Sequence, residues 1–235
     1  GMHRLGFQPK DMQAICDCLK SQSGVAVRSV FSHLAGSDSS VFDDFTLKQI
    51  KTFQKAASQL EQGIEYPVLK HILNSAGIER FADYQMDMVR LGIGLYGVSA
   101  SGQKGLRNVN TLKTTILQIQ EVPAGDSIGY SRRSYVKRDS RIAIIPIGYA
   151  DGLDRHLGNG AGQVLINGKR CPTIGNICMD TCMIDVTGIE VNEGDTVIIF
   201  GDELPVSELS ETLGTISYEI LTSISPRVKR VYFRE

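Results

Sequence analysis

From Phe45 to Leu60 the apolar side chains Leu47, Ile50, Phe53, Ala57 and Leu60 recur at helical spacing, with Lys, Gln and Ser between them. The pattern predicts a long amphipathic helix, with Gly63 placed to end it. A shorter helix is predicted over "PKDMQAICDCLKSQ", where Met12, Ile15, Cys16 and Leu19 share a face and Pro9 and Asp11 sit at the start. "GVAVRSVFSHLA" and "YPVLKHILNS" read as strands, "AGIERFAD" as a short helical turn, and "MDMVRLGIGLYG" as a last strand or loop. Strands alternating with helices predict parallel βα units. From about residue 106 the period changes to two, in "LKTTILQIQEV", "SRIAIIPIG", "QVLINGKRCPTIG", "CMIDVTG" and "DTVIIFG". "INGK" marks a hairpin, since Asn-Gly tolerates the positive φ angles of a type I′ turn. A helix near "PVSELSETLG" and a tail, "ISYEILTSISPRVKRVYFRE", close the chain. The expectation is α/β followed by all-β, residues 1–105 and 106–235, without internal repeats.

Composition narrows the class. A net charge of −1 over 235 residues implies neither a nucleic-acid footprint nor a membrane-surface patch. No apolar run reaches the ~20 residues of a membrane-spanning helix, and no signal peptide opens the chain, so the expected setting is cytoplasmic. Gly1 before Met2 reads as a vector remnant ahead of an initiator. The five cysteines lack zinc-ribbon spacing, and Cys178 and Cys182 fall in a strand-like run, so they are expected to be reduced, buried thiols.

Candidate chemistry concentrates at a few places. "NSAG", Asn74 to Gly77, and "RLGIGLYG", Arg90 to Gly97, lie at successive strand ends, where Ser75 and exposed amides could cradle a phosphate. The last strands of a (β/α)8 barrel commonly do this. Asn-Ser is also a plain helix cap. Arg90, among Met88, Val89 and Leu91, needs a partner if buried. His33 ends a strand, either as a functional group at a barrel mouth or as a hydrogen-bonded rim residue. "GYADGLDRH" mixes Asp and His but fits no metal-ligand template. Tyr130 and Tyr135 bracket Arg132 and Arg133 in "IGYSRRSY", where a phenol could decorate a hairpin or move protons. The stretch alone leaves both open.

Taken together, "MHRLGF", "SHLAGSD", "HILNSAG", "DMVRLGIGLYG", "IGYSRRSY", "IPIGYADG" and "GNICMDTCMIDV" resemble, in order and spacing, the alanine racemases, which use pyridoxal 5′-phosphate (PLP). The resemblance extends over essentially the whole chain from Met2. It implies a partial (β/α)8 barrel, later strands only, followed by a C-terminal β-barrel-like domain. It also implies homodimers whose sites draw on both subunits and, as the reaction, interconversion of L- and D-alanine for peptidoglycan. By motif, Ser75, Gly92 and Ile93, with Asn74 beside them, would hold the cofactor phosphate. Arg90 would face the pyridine nitrogen, and Arg4 the phenolic oxygen and the substrate carboxylate. Tyr130 would take the α-proton of L-alanine, with a lysine acting on the D face. A phenol ordinarily keeps its proton to about pH 10, so the role calls for nearby positive charge, here a Tyr130–His33–Arg90 chain. Tyr149 and Met179, the latter through its N–H, would line the substrate, with Asp180 and Arg155 behind it or at its gate. Arg132 and Arg133 match no family role and read as solvated loop charges.

Two departures from the family pattern stand out. Pro226 replaces a tyrosine that shapes the inner gate in several members, which bears on substrate strictness. The lysine-alanine-asparagine-alanine-tyrosine-glycine motif carrying the family's Schiff-base lysine upstream of "MHRLGF" is not in this sequence. The chain is therefore expected to be a C-terminal part, inactive alone, whose open half-barrel associates through its strand edges. The alternatives are a non-catalytic dimerisation or fusion module, or a PLP racemase for another amino acid.

Overall fold

The computed structural model describes residues 1–102 and 105–233. In it the first helical pattern becomes α1 (Met12–Lys20), and the strand-like stretch after it condenses to β1 (Ser29–Phe31). The long pattern becomes α2 (Asp43–Ile64), followed by β2 (Leu69–His71) and α3 (Ser75–Arg80). β1 and β2 pair in parallel, Phe31 opposite His71. Residues 87–90 run on beside β2: Lys70 N donates to Asp87 Oδ2 at 2.7 Å and Arg90 N to Leu73 O at 2.9 Å. The last strand expected here is thus an irregular run that ends in a 3-10 turn, Ile93–Tyr96.

The inner face of α2 does what its period requires. Ile50, Phe53 and Ala57 bury against Leu34, Ile72, Leu73 and Phe81 over the parallel pair. Each large aliphatic side chain removed from water in this way contributes roughly 1.5–3 kcal/mol. One turn further on, Leu60 and Ile64 pack with Cys16 and Val68. Gly63 corrects the sequence reading. The helix continues past it and is capped by Glu65 at φ 64°, whose N–H bonds Glu61 O at 3.0 Å. Gly63 is needed for contact instead, because a Cβ there would stand 2.2 Å from Cys16 Sγ.

Clustering of the backbone separates Gly1–Arg107 from Asn108–Glu235. The second unit holds β3 (Leu112–Thr115), β4 (Gln118–Val122), the two-residue strands β5 (Ser127–Ile128) and β6 (Ser134–Tyr135), and β7 (Ser140–Ile145). After these come β8 (Gln163–Ile166), β9 (Lys169–Ile174), β10 (Cys182–Asp185) and β11 (Thr196–Phe200). "INGK" makes the β8–β9 turn with Asn167 at φ 49° and Gly168 at φ 71°.

Among the described residues seven strands form one antiparallel sheet in the order β3-β11-β8-β9-β10-β7-β4. The stretch read as one strand, "LKTTILQIQEV", breaks at Ile116–Leu117, and its halves become the two opposite sheet edges. A flat sheet of that width would put those edges about 29 Å apart, whereas the three peptide steps from Thr115 to Gln118 reach about 11 Å. The sheet must therefore curl until its edges meet, the barrel-like form the family resemblance implied. Its closed interior is aliphatic, with Ile116, Ile145, Val164, Ile166, Ile184 and Val197 fully buried. The C-terminal segment adds α4 (Val206–Leu213) and a helix the sequence reading passed over, α5 (Ser217–Ser223), packed on α4 with Ser210 Oγ 3.2 Å from Ser217 Oγ.

Candidate functional site

In the first unit the chemistry gathers around Arg90. Its Nη2 donates to Ser32 O at 2.6 Å and Ile72 O at 3.3 Å, and its Nη1 meets His71 Nδ1 at 2.6 Å and His71 O at 3.3 Å. His33 Nδ1 lies at a longer 3.5 Å. The guanidinium also sits 5.0 Å over the Phe31 ring, which stacks on His71 at 5.1 Å. A guanidinium only donates, so both imidazoles present an unprotonated Nδ1 to it and carry their proton on Nε2. Burial first, then the Arg90 charge, holds both histidines below the ordinary pKa, and at His33 the Arg4 charge adds to this. Among the described residues no carboxylate pairs with Arg90. Carbonyls and neutral rings satisfy its hydrogen bonds without cancelling its charge, so the partner the sequence called for is a neutral set.

Beside it, Ser75 opens α3 and is only 2% exposed. Its Oγ accepts from Gly92 N at 2.9 Å and from Gly94 N at 3.4 Å, which leaves the hydroxyl proton to donate. The Asn74 side-chain oxygen accepts from Gly77 N and Ser37 Oγ, both at 2.9 Å, so Asn74 acts as the cap that fixes Ser75. Glu79 at the far end of α3 accepts from Ser99 Oγ at 2.7 Å and Ala100 N at 3.0 Å, tying down the chain that leaves the glycine run. A Cβ at Gly94 would come within 2.8 Å of Leu91 Cδ1, the end of an exposed side chain that would have to turn aside. The result is a hydroxyl that already accepts from the Gly92 and Gly94 amides and keeps its own proton to donate, a donor that suits a phosphate oxygen. Ser75, Gly92, Ile93 and Arg90 are thus brought together as the motifs implied. Arg4 is exposed, and its charge is felt at His33.

In the second unit Tyr130 is 69% exposed, on the loop between β5 and β6. Arg132 is more engaged than a solvated loop charge: its Nε donates to Ser127 Oγ at 2.9 Å and its guanidinium lies 5.9 Å over Tyr135. Tyr149 and Met179 come together through backbone bonds, Tyr149 N to Cys178 O at 3.1 Å and Ala150 N to Met179 O at 3.0 Å. Gly148 permits this, since its Cβ would fall 2.3 Å from Met179 O. Asp180 and Asp151 both bind Arg227, at 2.6 and 2.7 Å, next to Pro226. Arg155 lies in the 3-10 turn Arg155–Leu157, capped by Asp154, which also holds His156 Nδ1 at 2.8 Å. Cys171 and Cys182 are buried free thiols, burial pushing that of Cys182 up to about 12, while Cys178 is half-buried and Cys18 exposed, contrary to expectation.

Sequence reasoning missed His71 and Arg227. His71 ends a strand four residues before Ser75, and Arg90's need for a neutral acceptor was the signal that could have found it. Arg227 gave none, because its two carboxylates are far away in sequence.

A half-barrel of parallel βα units bearing a candidate anion cradle, followed by a curled antiparallel unit that presents an exposed tyrosine, defines a two-unit protein, α/β and then all-β. Comparison sharpens this. Residues 1–100 match the family model "Alanine racemase, N-terminal domain" and residues 109–232 match "Alanine racemase, C-terminal domain". The chain belongs to the alanine racemase family. It is 38% identical over 239 residues to an alanine racemase of Desulfovibrio desulfuricans, covering 99% of this chain and 64% of the relative. Among solved structures, the alanine racemase of D-cycloserine-producing Streptomyces lavendulae superposes with a TM-score of 0.92 at 31% identity, covering 100% of this chain and 64% of that one. That of Bartonella henselae, with covalently bound pyridoxal phosphate, gives 0.89 at 33% identity, covering 99% and 64%. The chain thus spans a little under two thirds of these relatives.

Proposed function

We propose that the chain carries the phosphate, ring-nitrogen and L-face proton-handling groups of a PLP-dependent alanine racemase that interconverts L- and D-alanine. The observation that supports this best is the uncancelled charge of Arg90 beside the Ser75 cradle. When bound, PLP supplies an electron-withdrawing ring that acidifies the substrate α-proton. The residues of this chain do the rest. Ser75, Gly92 and Ile93 would hold the phosphate, the Ser75 hydroxyl donating to it, with Asn74 keeping Ser75 in place. Arg90, a cation with no lone pair to accept a proton, would disfavour protonation of a ring nitrogen held against it, which would weaken the electron sink and favour rapid return of the proton over side reactions. His33 keeps its proton on Nε2, where it can donate to the phenolate of Tyr130 brought by the second copy of the homodimer and help it hold or release the L-face proton. Arg4 and the Met179 N–H bind the substrate carboxylate, Tyr149 lines the substrate, and Asp180 and Arg155 stand behind it or at its gate.

The chain has no Schiff-base lysine motif, and the reading includes that these 235 residues alone do not racemise alanine. Two copies assemble as a homodimer. The test is titration with PLP followed by absorbance. A saturable spectral change, weakened at least tenfold in affinity by Ser75→Ala, is expected. An unchanged spectrum at high cofactor, or a Ser75→Ala protein that binds like the parent, would overturn the reading.

A further inference from the structure

The backbone around Tyr130 is unusual. Gly129 before it has φ 74°, and Ser131 and Arg132 after it have φ 63° and 50°, a left-handed pair that side-chain-bearing residues rarely adopt. Such a loop keeps its shape only if its surroundings impose it. A hollow of about 380 Å³ beside Ser127, Ile128 and Gly129 leaves part of this support open. On the other side, the Cβ that Gly129 lacks would lie 3.0 Å from Met183 Cε and 3.4 Å from Asn176 N. The loop therefore lies directly against the residues that connect β9 to β10.

One side chain there reaches the tyrosine. Asn176, 4% exposed, donates from Nδ2 to Tyr130 O at 2.9 Å. Its Oδ1 accepts from Asn159 Nδ2 at 3.0 Å, and Asn159 Oδ1 accepts from Ser134 Oγ at 2.8 Å. Ser134 Oγ in turn accepts from Gly175 N at 3.2 Å. The chain of bonds runs one way only. It ends at a carbonyl, which can only accept, so Asn176 must face Tyr130 O with Nδ2 and Asn159 with Oδ1, and Asn159 must turn its Nδ2 toward Asn176. Ser134 also pairs with Ile128 across the β5–β6 hairpin, so the relay closes on the strands that flank the tyrosine.

We infer that Asn176 is the positioning residue for Tyr130: its carboxamide anchors the tyrosine's main chain to the sheet, and Asn159, held from behind by Ser134, braces that carboxamide through its Oδ1. The inference rests on the proposed role of Tyr130 in moving the L-face proton. Asn176 touches neither substrate nor cofactor in this scheme. It sets where the phenol stands, and misplacement of a proton-transfer group by about 1 Å costs on the order of 100-fold in rate.

The test uses Asn176→Asp, which preserves shape and the acceptor for Asn159 but removes the donor to Tyr130 O. In labelled samples of the chain, the Tyr130 carbonyl and ring NMR signals should shift and broaden while the Ile184 and Val197 methyls of the sheet stay in place. In a preparation of the protein that racemises alanine, kcat from L-alanine should fall on the order of 10- to 100-fold with KM within about twofold. The α-deuterium isotope effect should rise for L-alanine and stay constant for D-alanine. Ser134→Ala, which leaves the Asn176 bond but removes the support behind Asn159, should move the same readouts less, and it carries the test if Asn176→Asp fails to fold. Unchanged Tyr130 signals in both variants would overturn the inference. So would full turnover in both while Tyr130→Phe is inactive. If Tyr130→Phe itself racemises alanine normally, the functional reading fails and the NMR signals alone decide the positioning.

Discussion

His71 and His33 share one cation, and that sharing makes the first unit sensitive to acid. Both imidazoles are held below the ordinary value of 6.5, by burial first and then by Arg90. A group whose folded pKa is depressed takes up its proton first in the unfolded chain, so neither histidine affects stability above about pH 7. As pH falls through 6.5 toward the lower folded values, the unfolded state gains protons that the folded state resists, and stability is lost. Urea midpoints measured from pH 7.5 to 5.5 should therefore decline, and His71→Asn, which keeps an acceptor for Arg90 without a titrating ring, should flatten the decline. An equal slope in the variant would refute the account. The residues themselves were unequally legible. Ser75, Arg90, His33 and Tyr130 sit in motifs whose glycines and strand ends mark them. His71 was hidden because a histidine inside an apolar strand looks like any buried position until the arginine beside it is known to lack a carboxylate.

At the scale of elements, the positions where pattern and structure part share one cause, which is contact between segments distant in sequence. Gly63 looked like a helix end because glycine ends helices, yet what demands glycine there is the thiol of Cys16 on the neighbouring helix. Gly63→Ala should therefore destabilise the chain by about 1–3 kcal/mol, although alanine is the better helix former, because overpacking outweighs propensity. Adding Cys16→Ala should recover part of that loss in chemical denaturation, and a Gly63→Ala chain at least as stable as the parent would rule the contact out. The same cause explains the broken strand at Ile116–Leu117. Its alternation slips phase there, from Leu112 and Ile116 to Leu117 and Ile119, but only the pairing of its halves with β11 and β7 shows that the slip turns a sheet edge. Local chemistry was enough where the element is local, as in the Asn167–Gly168 hairpin and the face of α2.

For the molecule as a whole, the parallel pair is the informative feature. β1 pairs with β2 and, among the described residues, with no other strand. Phe31, 62% exposed, and Leu69, 50% exposed, present apolar surface at this short sheet. A strand edge with unpaired backbone groups next to exposed aromatic and aliphatic side chains is a template for another chain, unlike the curled sheet of the second unit, whose edges approach each other. Light scattering of the chain should accordingly report a mass above that of one copy. Leu69→Lys, which sets a charge on this surface without touching the Arg90 contacts, should shift the distribution toward the single copy and leave the far-ultraviolet dichroism unchanged. A parent chain that stays strictly monomeric at tens of micromolar would show that the edge is protected by the fold itself. Association unaffected by Leu69→Lys would move the contact elsewhere, to the exposed apolar residues of the C-terminal segment, Val231, Tyr232 and Phe233.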